Sequence, residues 1–230
     1  MSPQRVAAGE NDAMPLVDRV VHDLKGSLAP LQTAAYLLGR DDLPPERRHE
    51  LLDTLQRQSR RLGQMIDEAG DWARASQGRL VTRRASCDLA MLLDNAIGGI
   101  PGCHVEPVIP AELVNRAIVG DEGRLLQMLA ALIGHACARS SGQPPRLVLT
   151  AVAGRVRIAI SDEGPTPDAV ALAGLLEQPL PEPADAGLGL RLMIARAIVL
   201  GHGGTLLAQA NPAGRGQLLV CELPIDSAPA

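Results

Sequence analysis

Two heptad seams near the N-terminal end constrain this chain more than any other feature. Val17, Val21, Leu24, Leu28, Leu31, Ala35 and Leu38 follow one another at spacings of 4, 3, 4, 3, 4 and 3, the repeat of a helix packed along other helices. Pro30 lies inside this run and is expected to kink it, because proline removes a backbone donor and crowds the preceding turn. The segment Gly39-Arg-Asp-Asp-Leu-Pro-Pro45 supplies a stop and a turn, and Pro45 with Glu46 suits the first turn of a new helix. Leu52, Leu55, Ser59, Leu62, Ile66, Ala69 and Ala73 then run 3, 4, 3, 4, 3 and 4, with Arg47, Arg48, Arg57, Arg60 and Arg61 outside the seam. Two helices with one seam each do not bury both seams as an isolated hairpin, so a homodimeric four-helix bundle is expected. A hairpin of this kind is also a common dimerisation element with no chemistry of its own.

The rest of the composition narrows the class. Aromatic residues make up 1% of the chain, with no Phe, one Trp and one Tyr, so the core must be built from Leu, Ala, Val and Ile. A formal net charge of -4 gives no basic field to gather a phosphate backbone, and a nucleic-acid partner is not expected. Cys87, Cys103, Cys137 and Cys221 show neither CxxC pairing nor ligand spacing to His. They read as small buried hydrophobes in a reducing compartment. No apolar run approaches the ~20 residues needed to cross a bilayer, and Glu10 and Asp12 stand where a signal peptide carries other residues. A cytoplasmic location without membrane insertion is expected.

Residues 1–12 read as a flexible tail and 13–80 as the hairpin. A linker over 81–90 follows, with Arg79 to Cys87 extended, and a second domain spans 91–225. In that domain Asp88 is placed to cap a helix over Leu89 to Ile97, and a longer helix over Glu122 to Arg139 starts near Asp121. Short apolar runs predict strands at Arg146 to Ala153, Val156 to Ser161 and Gln217 to Leu223, and a last helix covers Leu190 to Leu200. Helices against a mostly antiparallel sheet make this domain α+β. The Pro-, Ala- and Asp-rich stretch from Pro165 to Ala186 reads as a loop with about one helical turn.

Candidate chemistry lies in both domains. His22 follows the seam residue Val21, which puts its ring at the flank of the bundle within reach of a phosphoryl donor and acceptor. A neutral imidazole is a competent nucleophile, and Asp23 beside it can take or orient the second ring proton. The stretch Val21-His22-Asp23-Leu24-Lys25-Gly26-Ser27-Leu28 resembles the H-box of histidine kinases. The resemblance implies that His22 accepts the phosphoryl group, with Asp23 as base. Gly26 stands where kinases that are also phosphatases carry a Thr or Asn, and Ser27 stands at the usual Pro, so phosphatase activity by that route is not expected.

The run Ala186-Gly-Leu-Gly-Leu-Arg-Leu-Met-Ile-Ala-Arg-Ala-Ile-Val-Leu-Gly-His-Gly-Gly-Thr205 has Gly187 and Gly189 opening a helix, where bare backbone donors favour phosphate. Gly203-Gly204 then turns back into a strand. The run is similar to the G2 box of the GHKL ATPase domain, and Ile160-Ser-Asp-Glu-Gly-Pro-Thr166 looks like its G1 box. These resemblances imply ATP binding by Asp162, Gly164, Gly187 and Gly189, with Asp162 on the adenine amino group. Asp121 to Ser141 resembles the N-box. There Arg139 falls near a basic position able to hold phosphate, whereas the two magnesium-binding asparagines fall at Ala131 and His135. Imidazole is a poor ligand for Mg2+, so His135 is a weak metal position, and Leu175-Leu176 replaces the usual aromatic pair of the lid.

Together these features resemble a two-component histidine kinase core, a HisKA-type dimerising hairpin followed by an α/β-sandwich GHKL ATPase-like domain with a degenerate N-box. The implied function is autophosphorylation of His22 from ATP with Mg2+ and transfer to an aspartate on a response-regulator receiver domain. The alternatives are a histidine phosphotransferase whose ATPase domain is non-catalytic, and a purely structural dimeric scaffold.

Overall fold

The computed structural model describes residues 13–40, 42–140, 142–184 and 187–226, so the expected tail over 1–12 and part of the loop before Gly187 lie outside them. The chain divides into two compact units with a boundary inside the second helix, after Gly70.

The first unit is the hairpin of α1 (Ala13–Leu38) and the body of α2 (Pro45–Ser76). α1 continues through Pro30, and Glu46 sits in the first turn of α2, where a negative charge faces the positive helix end. Ser27, Ala34, Leu51 and Met65 are buried, and the Ser27 hydroxyl points its proton at the Met65 sulfur at 3.8 Å. A single neighbouring helix covers only one stripe of each partner. Leu24, Leu31 and Leu38 are accordingly half-buried, whereas Val17, Val21, Leu28, Leu52 and Ile66 stay exposed, Val17 at 58% and Ile66 at 61%.

The second unit holds β1 (Ala85–Asp88), α3 (Leu89–Gly98), β2 (Pro107–Val108), a 3-10 turn (Ala111–Leu113), β3 (Ala117–Gly120) and α4 (Glu122–Arg139). There follow β4 (Arg146–Val152), β5 (Arg155–Ser161), α5 (Ala169–Gly174), α6 (Arg191–Gly201), β6 (Thr205–Ala210) and β7 (Gln217–Pro224). The main sheet has the order β2-β4-β5-β7-β6, antiparallel throughout except for the parallel β2–β4 pair, and β1 pairs antiparallel with β3 in a separate two-stranded sheet. Strands β5 and β7 alternate buried and half-exposed positions along their length, the pattern of a sheet with one face packed. On that face Leu147, Leu149, Ile158, Ile160, Leu219 and Cys221 join Leu125, Met128, Leu129, Leu132 and Ile133 of α4 in the core. Each such Leu or Ile contributes about 1.5–3 kcal/mol by leaving water.

Two side chains fix where α4 begins. Asp121 caps it through Oδ1, which accepts from the Arg124 amide, and its Oδ2 accepts from the Thr82 and Arg83 amides at 3.2 Å each. Burial works against the carboxylate, but these hydrogen bonds and Arg124 hold its pKa below the ordinary value. Buried His202, at the end of α6, donates from Nδ1 to the Ile198 carbonyl (2.7 Å) and accepts at Nε2 from the Asp121 amide (3.0 Å). Asp88 caps α3 as expected, accepting from the Met91 amide at 2.8 Å.

The structure departs from the sequence reading in places. The stretch expected to be a linker ends in a strand, β1, whose partner β3 lies about thirty residues on. The cysteines correct a stated expectation. Cys87 and Cys221 are free and buried, but Cys103 and Cys137 are half-buried and joined in a disulfide, with Cα atoms 6.0 Å apart. No spacing rule could have found them, since 34 positions separate the two in sequence.

Candidate functional site

Each unit places one set of chemistry-bearing residues. In the hairpin, α1 presents His22 with its side chain 86% exposed, and Nδ1 lies 3.1 Å from Asp23 Oδ1. Asp23 is half-buried and also meets Arg19 at 3.8 Å, one helical turn away. In the tautomer whose Nδ1 proton is donated to the carboxylate, the lone pair of Nε2 is left free for nucleophilic attack.

In the second unit, α4 faces a cavity of about 500 Å³, within the range of small-molecule sites. Ala131, Gly134, His135 and Ala138 line it from the helix, opposite Gly189 and Arg191 at the start of α6 and the segment Ile100–Cys103 that follows α3. Gly189 has a φ of +77°, and a Cβ there would run into the Leu180 backbone, so the turn into α6 requires glycine. Burial pulls the His135 pKa down to about 4, helped by the Arg139 charge and opposed by Asp162 and Gln217. The Gln217 amide lies close enough to favour the protonated ring, yet its two polar atoms and the His135 Nε2 are buried and reach no hydrogen-bond geometry with each other or with the other described residues. Orphaned polar atoms of this kind fit a site that takes a polar ligand.

Asp162, Gly164 and Arg139 form a second cluster that does not line the cavity. The Asp162 carboxylate is fully buried. Its Oδ2 accepts from Arg139 Nε at 3.0 Å and its Oδ1 from the Gly164 amide at 3.0 Å, while Arg139 also donates to the Pro165 carbonyl at 2.5 Å. A Cβ on Gly164 would come within 2.6 Å of the Arg139 carbonyl oxygen. Of the residues picked from the sequence, the cavity therefore brings together His135 and Gly189. The ion pair holds Asp162, Gly164 and Arg139, and buried Gly187 belongs to neither group. Among the described residues no three His, Cys, Asp or Glu side chains are grouped so as to hold a metal ion.

Residues 16–78 match the His Kinase A (phospho-acceptor) domain, and residues 120–227 match the histidine kinase-, DNA gyrase B- and HSP90-like ATPase domain. The chain carries the two domains of a histidine kinase core. It is similar over 98% of its length, at 31% identity, to the sensor protein ChvG of Rhizobium meliloti (strain 1021), of which it spans 42%. It is 29% identical over 96% of its length to the sensor protein KdpD of Mycobacterium tuberculosis (strain CDC 1551 / Oshkosh), of which it spans 27%. The chain thus spans less than half the length of these curated relatives. In fold it resembles full-length ShkA solved in complex with AMPPNP (TM-score 0.69, 24% identity, 94% of this chain and 47% of that one). It also resembles the Acinetobacter baumannii histidine kinase AdeS (TM-score 0.66, 18% identity, 90% of this chain and 98% of that one). At these identities the likeness concerns the fold. Within this kinase core, sequence reasoning missed Arg191, the Cys103–Cys137 pair and Gln217. Only Arg191 left a trace, as a cation two residues after Gly189.

Proposed function

We propose that this kinase core phosphorylates His22 from ATP and passes the phosphoryl group to an aspartate of a response-regulator receiver domain. The single observation that carries the reading is the exposed imidazole of His22 with Nδ1 on Asp23. When bound, ATP supplies the γ-phosphoryl group. Nε2 attacks its phosphorus as the bond to the β-phosphate oxygen breaks, and Asp23 keeps the Nδ1 proton, so the ring carries the transferred group without building up an unpaired charge. The position of Gly189 and Arg191 on the cavity wall supports a role for them in meeting phosphate. The exposed seam residues Val17, Val21 and Leu28 support pairing of two hairpins in a homodimer. No helix among the described residues is long and apolar enough to cross a membrane, and this kinase region is proposed to act in the cytoplasm.

One observation favours a second reading, a histidine phosphotransferase. The Asp162 carboxylate is engaged within the fold itself, by Arg139 on one oxygen and by the Gly164 amide on the other. In that reading phosphoryl groups reach His22 from a phosphorylated receiver, while the ATPase-like domain serves as a docking module. The decisive experiment incubates the full chain with γ-labelled ATP and, separately, with a phosphorylated receiver domain. Label on His22 from ATP supports the kinase, and label only from the receiver supports the phosphotransferase. Unlabelled protein under both conditions refutes both. His22→Gln is expected to abolish labelling and leave the dimer intact, because the ring is exposed on the hairpin and lies outside its apolar seam.

A further inference from the structure

We propose that Cys103 and Cys137 form a reversible thiol–disulfide switch that sets one wall of the cavity on α4; this rests on the cavity being the nucleotide site. Three observations carry the inference. The two residues have Cα atoms 6.0 Å apart, inside the span that a disulfide bridges without moving the backbone. Both line the cavity together with His135 and Gly189, so the bond lies in the wall of the site and not in a remote core. Both are also half-buried, and Cys103 follows exposed Pro101 and Gly102, so a small reagent can reach the pair.

The other two cysteines are poor competitors. Burial raises the Cys87 thiol, and it pushes Cys221 up to about 12, which removes the thiolate that exchange requires. Disulfides of proteins in reducing compartments are mostly transient or redox-sensing.

The co-reactant is a low-molecular-weight disulfide such as oxidised glutathione. One protein thiolate attacks a sulfur of the reagent and expels the first glutathione thiolate, leaving a mixed disulfide. The second protein thiolate then attacks the protein sulfur of that bond and expels the second glutathione. Two protein thiols and one reagent disulfide become one protein disulfide and two reagent thiols, and two electrons pass from protein to reagent. The bond pins Ile100–Cys103 to α4. Once reduced, that segment is held to the helix only by noncovalent contacts. A reduced wall in place for only a fraction of the time weakens apparent ligand affinity by the inverse of that fraction, about three-fold for a fraction of about one third.

The test equilibrates the full chain in glutathione buffers of graded oxidised-to-reduced ratio and counts free thiols by alkylation and mass. Amide hydrogen exchange over residues 98–106 and binding of a fluorescent ATP analogue are measured in each buffer. Expected are the reversible loss of two alkylatable thiols, slower exchange in the oxidised form, and analogue binding about three-fold tighter. Cys103→Ser and Cys137→Ser should each erase the redox response. Thiols that alkylate at every ratio, exchange equal in both forms, or analogue affinity equal in both forms would overturn the switch. If the analogue binds neither form, the nucleotide reading fails, and the exchange contrast alone decides whether the switch exists.

Discussion

His135 makes the stability of the second unit depend on pH in a window where exposed histidines have little effect. Its pKa of about 4 in the folded chain lies below the ordinary 6.5 because burial and the Arg139 charge disfavour the imidazolium. The unfolded chain therefore takes up this proton first as the pH falls. Stability that depends on neutral His135 is fully present above about pH 6.5, declines through the window between about 6.5 and 4, and is lost below it. Two and a half pH units at ~1.36 kcal/mol each give a full loss of about 3 kcal/mol, of which about 2 kcal/mol falls between pH 7 and pH 5. The assay is urea unfolding followed by the fluorescence of Trp72, the chain's only tryptophan, which belongs to the same compact unit. Wild type is compared with His135→Asn at each pH, so that the titration of shared carboxylates cancels. The wild type should lose about 2 kcal/mol more than the variant between pH 7 and pH 5. Parallel stability curves would refute the placement of a neutral ring beside Arg139.

Three further outcomes are expected. Gly189→Ala puts a Cβ against the Leu180 backbone at positive φ, so it should cost about 1–3 kcal/mol and abolish binding of an ATP analogue in a titration. His202→Ala orphans the Asp121 amide and the Ile198 carbonyl contact, so urea unfolding should show a loss of about 1–3 kcal/mol. Arg139→Gln leaves the buried Asp162 carboxylate without its cation, and a loss of about 3 kcal/mol should be largely recovered in Arg139→Gln with Asp162→Asn, a cycle read by the same unfolding curves.

Much of this fold was legible because local chemistry and period agreed. The ends of α4 follow from Asp121 as cap and from the Leu and Ala spacing, while α1 and α2 follow from their seams. Strands β1, β2 and β3 hold four, two and four residues, too few to display alternation. Their existence depends on pairing with segments distant in sequence. The position and nature of His22 and Asp23 were readable because a helix surface is fixed by its own repeat. The ion pair of Arg139 was not, since its partner Asp162 lies 23 positions away in sequence.

The reactive group of the hairpin and the polar groups of the second unit obey different physics. His22 is exposed to water on α1, and its ring meets one polar side chain, Asp23. By contrast, His135, Cys137 and Arg139 fall within about one turn of α4, each tied to a different part of the unit: a cavity, a cross-link and a buried carboxylate. Burial keeps the His135 ring neutral, and Arg139 adds to it, its guanidinium held in turn by Asp162 at Nε. A ligand that takes the Asp162 carboxylate by displacing that guanidinium relieves the repulsion on His135 and raises its affinity for a proton. Linkage then runs in both directions, so a nucleotide bound through Asp162 takes up protons on binding and binds more tightly as the pH falls toward 4. A nucleotide held only by Gly189 and Arg191 leaves the ion pair intact and shows neither effect, which separates the two modes of binding without any activity measurement.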